Sequence, residues 1–172
     1  VITHYKSVSL KELLLSMNQF SINLYAEHLL KTLGQGKSKQ GTKCIEYFLK
    51  NLNIPSQVHD GAGLSRTNLL TPKGMVTLLS HIKSSDAYLC IYTSLPESSQ
   101  SGTLRFFPKI PDAYLRAKTG SMDNIYNLAG YVTLGPKQYA FSIFCNHYKG
   151  PLSDIKNEIV LFLDLLIEKL DQ

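Results

Sequence analysis

Asn127-Leu128-Ala129-Gly130-Tyr131-Val132-Thr133-Leu134-Gly135-Pro136-Lys137-Gln138-Tyr139-Ala140-Phe141-Ser142-Ile143-Phe144-Cys145-Asn146 is the stretch on which the fold turns. Two runs rich in Tyr, Val, Ile, Phe and Ala flank Gly135-Pro136, which predicts strands over 127–134 and 138–146 closed by a tight antiparallel hairpin. A third run, Asp112 to Lys118, predicts another strand of the same meander. Three strands make a narrow sheet with two edges to cover or pair, and chain upstream of these residues is expected to supply more strands.

Helices are predicted around that sheet. Leu10, Leu13 and Leu14 give a helix over 9–17 with Ser9 as its cap, stopping near Asn18. Asn23 is placed to cap a second helix over 24–33, with Gly34 in the left-handed position behind it. A polar loop over 34–41 leads to a third helix over 42–52, and Thr71-Pro72 starts a fourth with Met75, Val76, Leu78, Leu79 and Ile82 facing the core. The closing helix over 153–170 presents Ile155, Ile159, Phe162, Leu163, Leu166 and Ile167. Helices, then a meander, then a helix make an α+β layer structure.

Composition bounds the function. The 172 residues, 44% hydrophobic and 18% charged, suit a single globular unit with a packed core, and no 18-residue apolar run can span a membrane. The net charge of +5 comes from scattered lysines, with one loose cluster at Lys37, Lys39 and Lys43, so a solvated face is expected and no nucleic acid partner. Cys44, Cys90 and Cys145 lie far apart in apolar settings; buried free thiols and no metal site are expected. His4, His28, His59, His81 and His147 have no carboxylate at triad or metal spacing.

Three patterns carry candidate chemistry: Ser21-Ile22-Asn23, Asp60-Gly61-Ala62-Gly63-Leu64-Ser65 and Lys118-Thr119-Gly120-Ser121. Each alone has a structural reading: Asn23 as a cap, Gly120 as the turn ending a strand, Asp60 as a turn stabiliser. In this order, with Ser21-Ile22-Asn23-Leu24-Tyr25-Ala26-Glu27, Asp60 to Arg66 followed by Leu70-Thr71-Pro72, Ser101-Gly102-Thr103-Leu104, and Ala117 to Ser121 followed by Leu128-Ala129-Gly130-Tyr131, the chain resembles the serine-type D-alanyl-D-alanine carboxypeptidase/endopeptidase group of low-molecular-mass, class C penicillin-binding proteins. The resemblance runs from about Ser16 to Asn146.

The resemblance implies the C-terminal part of a penicillin-binding/β-lactamase-like transpeptidase fold, with residues 1–172 as a single C-terminal part of that domain. It implies catalytic roles for Ser21, Asn23 and Lys118. Lys118 is expected at the end of a strand, with Thr119, Gly120 and Ser121 binding substrate. Ser121 offers its backbone N–H to an oxyanion, and Asp60 supports the site from behind. Substrates would be peptidoglycan D-Ala-D-Ala peptides, with β-lactams as inhibitors of the parent protein, a periplasmic or extracytoplasmic location and no cofactor. The family's nucleophile, Ser-x-x-Lys, belongs before Ser-x-Asn, and no such motif precedes Ser21. Ser80-His81-Ile82-Lys83 and Ser153-Asp154-Ile155-Lys156 match it in the wrong order. The expected partner is therefore the upstream part of the same protein, and the isolated chain is expected to be inactive. A non-catalytic module that binds peptidoglycan or a partner on the same scaffold is the alternative.

Overall fold

The Gly135-Pro136 pair closes a hairpin as its composition predicts. In the computed structural model, which describes residues 6–111 and 113–170, strands β4 (Ile125–Leu134) and β5 (Lys137–Asn146) pair antiparallel from Ile125↔Asn146 to Leu134↔Lys137. Gly135 takes φ 52°, a turn conformation that costs glycine little. β3 (Tyr114–Met122) pairs with the other side of β4, so the sheet order is β3-β4-β5.

The third strand sits further along the chain than expected. Asp112 lies outside the described residues, and the strand passes through Lys118 to end at Met122. Its register with β4 is unbroken from Tyr114↔Thr133 to Met122↔Ile125. That ladder carries Thr119-Gly120-Ser121 into the sheet, although Gly and Ser have little strand preference of their own. Lys118 is thus inside the strand rather than at its end, and Gly120 is not a terminating turn.

Alternation along the strands gives the sheet two different faces. Leu115, Ala117, Tyr126, Leu128, Val132 and Phe141 pack under α6 (Leu152–Leu170), which contributes Ile159, Leu163 and Ile167. Each such buried aliphatic side chain contributes about 1.5–3 kcal/mol. The stripe is narrower than expected: Ile155 is half-buried, and Phe162 and Leu166 are 55% and 37% exposed. Those two sit one position from Leu163 and Ile167, about 100° around the helix, and turn away from a three-strand sheet.

The other face meets the helical layer. Tyr131 on β4 packs with Leu79 of α4 (Pro72–Lys83) and with Leu95, and its hydroxyl donates to the Leu79 carbonyl at 2.8 Å. Thr71 caps α4, accepting from the Gly74 N–H with Pro72 behind it, as predicted. α5 (Tyr88–Ser94) follows, unanticipated, and stacks Tyr88 and Tyr92 near Tyr131.

Before these come α1 (Leu10–Phe20), α2 (Asn23–Leu33) and α3 (Ser38–Asn51). Ser9 caps α1 through a reciprocal pair with Glu12. The helix runs three residues beyond Met17. Asn23 is not the cap of α2: Ile22 holds that position without a side-chain bond. Gly34 is not left-handed either (φ −89°); Gln35 and Gly36 take the positive φ instead. α3 begins four residues before Thr42, because Gln40 and Gly41 already donate to the Lys37 carbonyl. Lys37, Lys39 and Lys43 are exposed, whereas the three cysteines are half-buried rather than buried. A two-residue ladder of β1 (Ser56–Gln57) and β2 (Leu69–Leu70) and a 3-10 turn at Gly102–Leu104 complete the chain. No helix among the described residues is long and apolar enough to cross a membrane.

Candidate active site

Ser21 ends α1 in the left-handed conformation, φ 54° and ψ 50°, and its N–H closes the helix onto the Met17 carbonyl. Ile22 is extended and Asn23 opens α2. Ser-x-Asn is therefore a corner between two helices. This sharp turn sends the Ser21 hydroxyl toward the sheet, where it accepts from the Lys118 ammonium at 2.9 Å. Residues 97 positions apart are joined by that bond.

Lys118 also donates to the Thr119 carbonyl at 2.7 Å. No carboxylate lies within ion-pair range of it among the described residues. Burial without a counter-charge pushes its pKa down from 10.5 to about 8. It is still mostly a cation at neutral pH, and one whose charge is poorly solvated and free to meet an incoming carboxylate. Its strand neighbour Arg116, by contrast, is neutralised by Glu97 at 2.8 Å and lies near Tyr92 and Tyr114.

The edge of β3 changes character at Lys118. Residues Pro96 to Ser98 cover its first half: the Ala117 N–H donates to the Pro96 carbonyl, and the Ser98 N–H donates to the Leu115 carbonyl. Backbone groups of alternate residues point the same way, so Thr119 and Ser121 also face outward. Beyond Ala117 that edge has no backbone partner among the described residues. An extended peptide can add there as a strand, with the Ser121 N–H among its donors. The Thr119 hydroxyl donates to Thr103 at 2.9 Å, which fixes it beside that edge.

The loop carrying Thr103 sits directly on the α1 corner. Gly102 has φ +54°, and a Cβ there would lie 2.5 Å from the Gln19 carbonyl oxygen, so only glycine lets the two segments touch. Asn18 and Gln19 bond Ser94 at 2.7 and 3.1 Å, tying the same corner to the end of α5. Sequence reading placed Ser101-Gly102-Thr103 in a motif but assigned it no role. A short Ser-Gly-Thr triplet gives no local sign of a contact 16 residues away at Thr119.

The Asn23 side chain is exposed and makes no hydrogen bond among the described residues. Released from capping, its amide is available to a ligand. Asp60 is placed differently from the others: its carboxylate accepts from the N–H groups of Gly63, Leu64 and Ser65 and from the Asn68 amide, all within its own loop. These donors hold its pKa below the usual value despite the opposing effect of burial. The loop reaches the Ser-x-Asn helix through Glu27, whose carboxylate accepts from Gly61 and Ala62 at 2.7 and 2.9 Å. Glu27 is thus the connecting residue that pattern reading left unassigned.

Neither misordered Ser-x-x-Lys forms a pair. Lys83 donates to the Gln138 carbonyl at 2.8 Å, and Lys156 lies over the Tyr126 ring while Ser153 bonds Asp154.

Residues 1–166 match the profile of the D-Ala-D-Ala carboxypeptidase 3 (S13) family. The chain is 34% identical over 166 residues to a D-alanyl-D-alanine carboxypeptidase of Actinomadura sp. (strain R39), covering 88% of this chain and 31% of that protein. It is 32% identical to the penicillin-sensitive carboxypeptidase A of Dictyostelium discoideum over 169 residues, covering 86% and 32%. Penicillin binding protein 4 of Haemophilus influenzae, solved in complex with a β-lactam, superposes with a TM-score of 0.74 at 28% identity, covering 92% of this chain and 41% of that one. A β-lactamase of Sphaerobacter thermophilus shares the fold, with a TM-score of 0.61 at 16% identity over 81% of this chain and 55% of that one. The chain spans about a third of the length of these curated relatives.

Proposed function

Because the chain belongs to the D-Ala-D-Ala carboxypeptidase 3 (S13) family, we propose that it is the Ser-x-Asn and Lys-Thr-Gly half of a serine-type D-alanyl-D-alanine carboxypeptidase/endopeptidase. The whole protein acts on peptidoglycan stem peptides through an acyl-serine intermediate, outside the cytoplasm, and is acylated by β-lactams. The nucleophile and its base come from a segment beyond these 172 residues. The observation that carries this reading is the 2.9 Å bond between Lys118 and Ser21 beside an unpaired strand edge.

The chemistry follows from that arrangement. The terminal carboxylate of a D-Ala-D-Ala peptide is drawn to the Lys118 cation, which no carboxylate among the described residues neutralises, and Thr119 adds a hydroxyl beside it. The peptide backbone lies along β3, and the Ser121 N–H stabilises charge developing on the scissile carbonyl. Asn23 holds a substrate carbonyl. Ser21, hydrogen-bonded to Lys118, passes a proton between the lysine and the leaving amine.

Steady-state release of D-alanine by the longest natural protein that contains this chain tests the reading. Lys118→Ala is expected to remove activity while the protein stays folded. Full activity without that charge refutes the assignment and favours a non-catalytic binding module.

A further inference from the structure

Two cations project from the same face of β3. Arg116 and Lys118 are alternate residues, about 7 Å apart along the strand. Their direct partners on β4, Tyr131 and Ala129, both lie in the apolar cluster that meets the helical layer. Because side chains repeat every second residue, a peptide added to this edge can slip by two residues without turning its side chains to the other face. A carboxylate held by Arg116 instead of Lys118 produces that slip, and it carries the peptide away from Ser21 and the Ser121 N–H.

The chain closes off the slipped register in two ways. Residues Pro96 to Ser98 cover the first half of β3 as a strap, with Glu97 opposite Arg116. The Pro96 carbonyl accepts the Ala117 N–H, but proline has no N–H to return to the Ala117 carbonyl, and the strap ends there. Glu97 then removes the competing charge. Its carboxylate accepts from Arg116 at 2.8 Å, and the two side chains, 15% and 20% exposed, are little screened by solvent. The other Arg116 donors go to the Thr93 and Leu95 carbonyls and the Tyr114 hydroxyl. The strap is anchored without this ion pair, since the Glu97 N–H donates to Ser101 Oγ at 3.0 Å and the Ser98 hydroxyl to the Pro108 carbonyl at 3.1 Å. The Glu97 charge therefore acts on Arg116 more than on the fold.

We propose that Glu97 sets the register in which substrate adds to β3: by neutralising Arg116, it leaves Lys118 as the one cation of this strand that an incoming carboxylate can engage. The inference rests on the functional reading above. Glu97 is a positioning residue that works through Arg116 and does not touch the reacting atoms.

Steady-state D-alanine release by the longest natural protein that contains this chain tests the role. In Glu97→Gln a second cation competes, and Arg can grip a carboxylate with two parallel bonds where Lys offers a point charge. Part of the substrate is then held unproductively. Both kcat and KM are expected to fall together, by about threefold or more, with kcat/KM kept within about twofold. As pH rises through about 8, wild-type KM rises with the loss of the Lys118 proton, whereas the variant's KM stays low because a guanidinium keeps its charge. Glu97→Gln also leaves a charge uncompensated and costs stability. The double variant Glu97→Gln/Arg116→Gln removes the stray cation too, and its kcat and KM are expected to return to wild-type values. A fall in kcat/KM with KM unchanged or raised in Glu97→Gln marks a merely structural role and overturns the proposal. Wild-type constants in Glu97→Gln, or a double variant that keeps the defect, overturn it as well, and all three leave the functional reading intact. A wild-type protein that releases no D-alanine overturns the functional reading, and the role of Glu97 with it.

Discussion

The Lys118 ammonium donates to the Ser21 hydroxyl at 2.9 Å, joining the middle of a strand to a left-handed helix end. Ser21→Ala leaves the cation with only the Thr119 carbonyl. Since a hydrogen bond to a charged group contributes about 1.5–3 kcal/mol, kcat/KM of the whole enzyme should fall by about 10–100-fold. D-alanine release assays on the purified protein check this.

Lys118 sets a pH limit. With its pKa at about 8, the cation is present below that value and is lost as pH rises through it. Capture of a substrate carboxylate is expected to weaken above about pH 8, seen as a rise in KM even as the fold itself gains stability.

The same group lowers stability. Its folded pKa is depressed from 10.5, so the folded chain binds fewer protons than the unfolded one between about pH 8 and 10.5, and stability rises with pH across that window. Lys118→Met removes the desolvation cost. The variant should be more stable than wild type below pH 8, by an amount that shrinks toward pH 10.5, when urea denaturation is followed at several pH values. Such an exchange of stability for a functional charge is common at active sites.

How much of this was legible in the sequence depended on what kind of force makes each element. The hairpin around Gly135-Pro136 and the Thr71-Pro72 start are encoded locally and were readable. The extension of β3 to Met122 was not, because Thr119-Gly120-Ser121 is held by its ladder with β4 rather than by its own preference. α5 was missed because Tyr88-Leu89-Cys90-Ile91-Tyr92 is too short and evenly apolar to show a period. At the candidate site, motif order singles out Ser21 and Lys118, and a hydrogen bond joins the two side chains. Asn23 was readable as a cap, yet the helix starts on it, and the left-handed turn at Ser21 has no sequence signal since serine seldom adopts it. Asp60 was placed in support of the site, but its bonds stay within its loop, and Glu27 makes the link to α2.

Glu27→Ala should therefore loosen the 60–65 loop. Two backbone donors, on Gly61 and Ala62, lose a charged acceptor, and a loss of about 2 kcal/mol is expected in chemical denaturation.

Gly102→Ala forces a Cβ against the Gln19 carbonyl at 2.5 Å in a conformation with φ +54°. A cost of about 1–3 kcal/mol is expected. The shift should also displace Thr103 from Thr119, so acylation by penicillin slows along with the drop in Tm.

On the proposed function, these 172 residues hold the carboxylate-binding and proton-relay half of the site but not its nucleophile. Intact-protein mass spectrometry of the purified chain after incubation with benzylpenicillin tests it most directly. No mass increase is expected. A stable penicilloyl adduct, at Ser80 or any other serine of the chain, would contradict it.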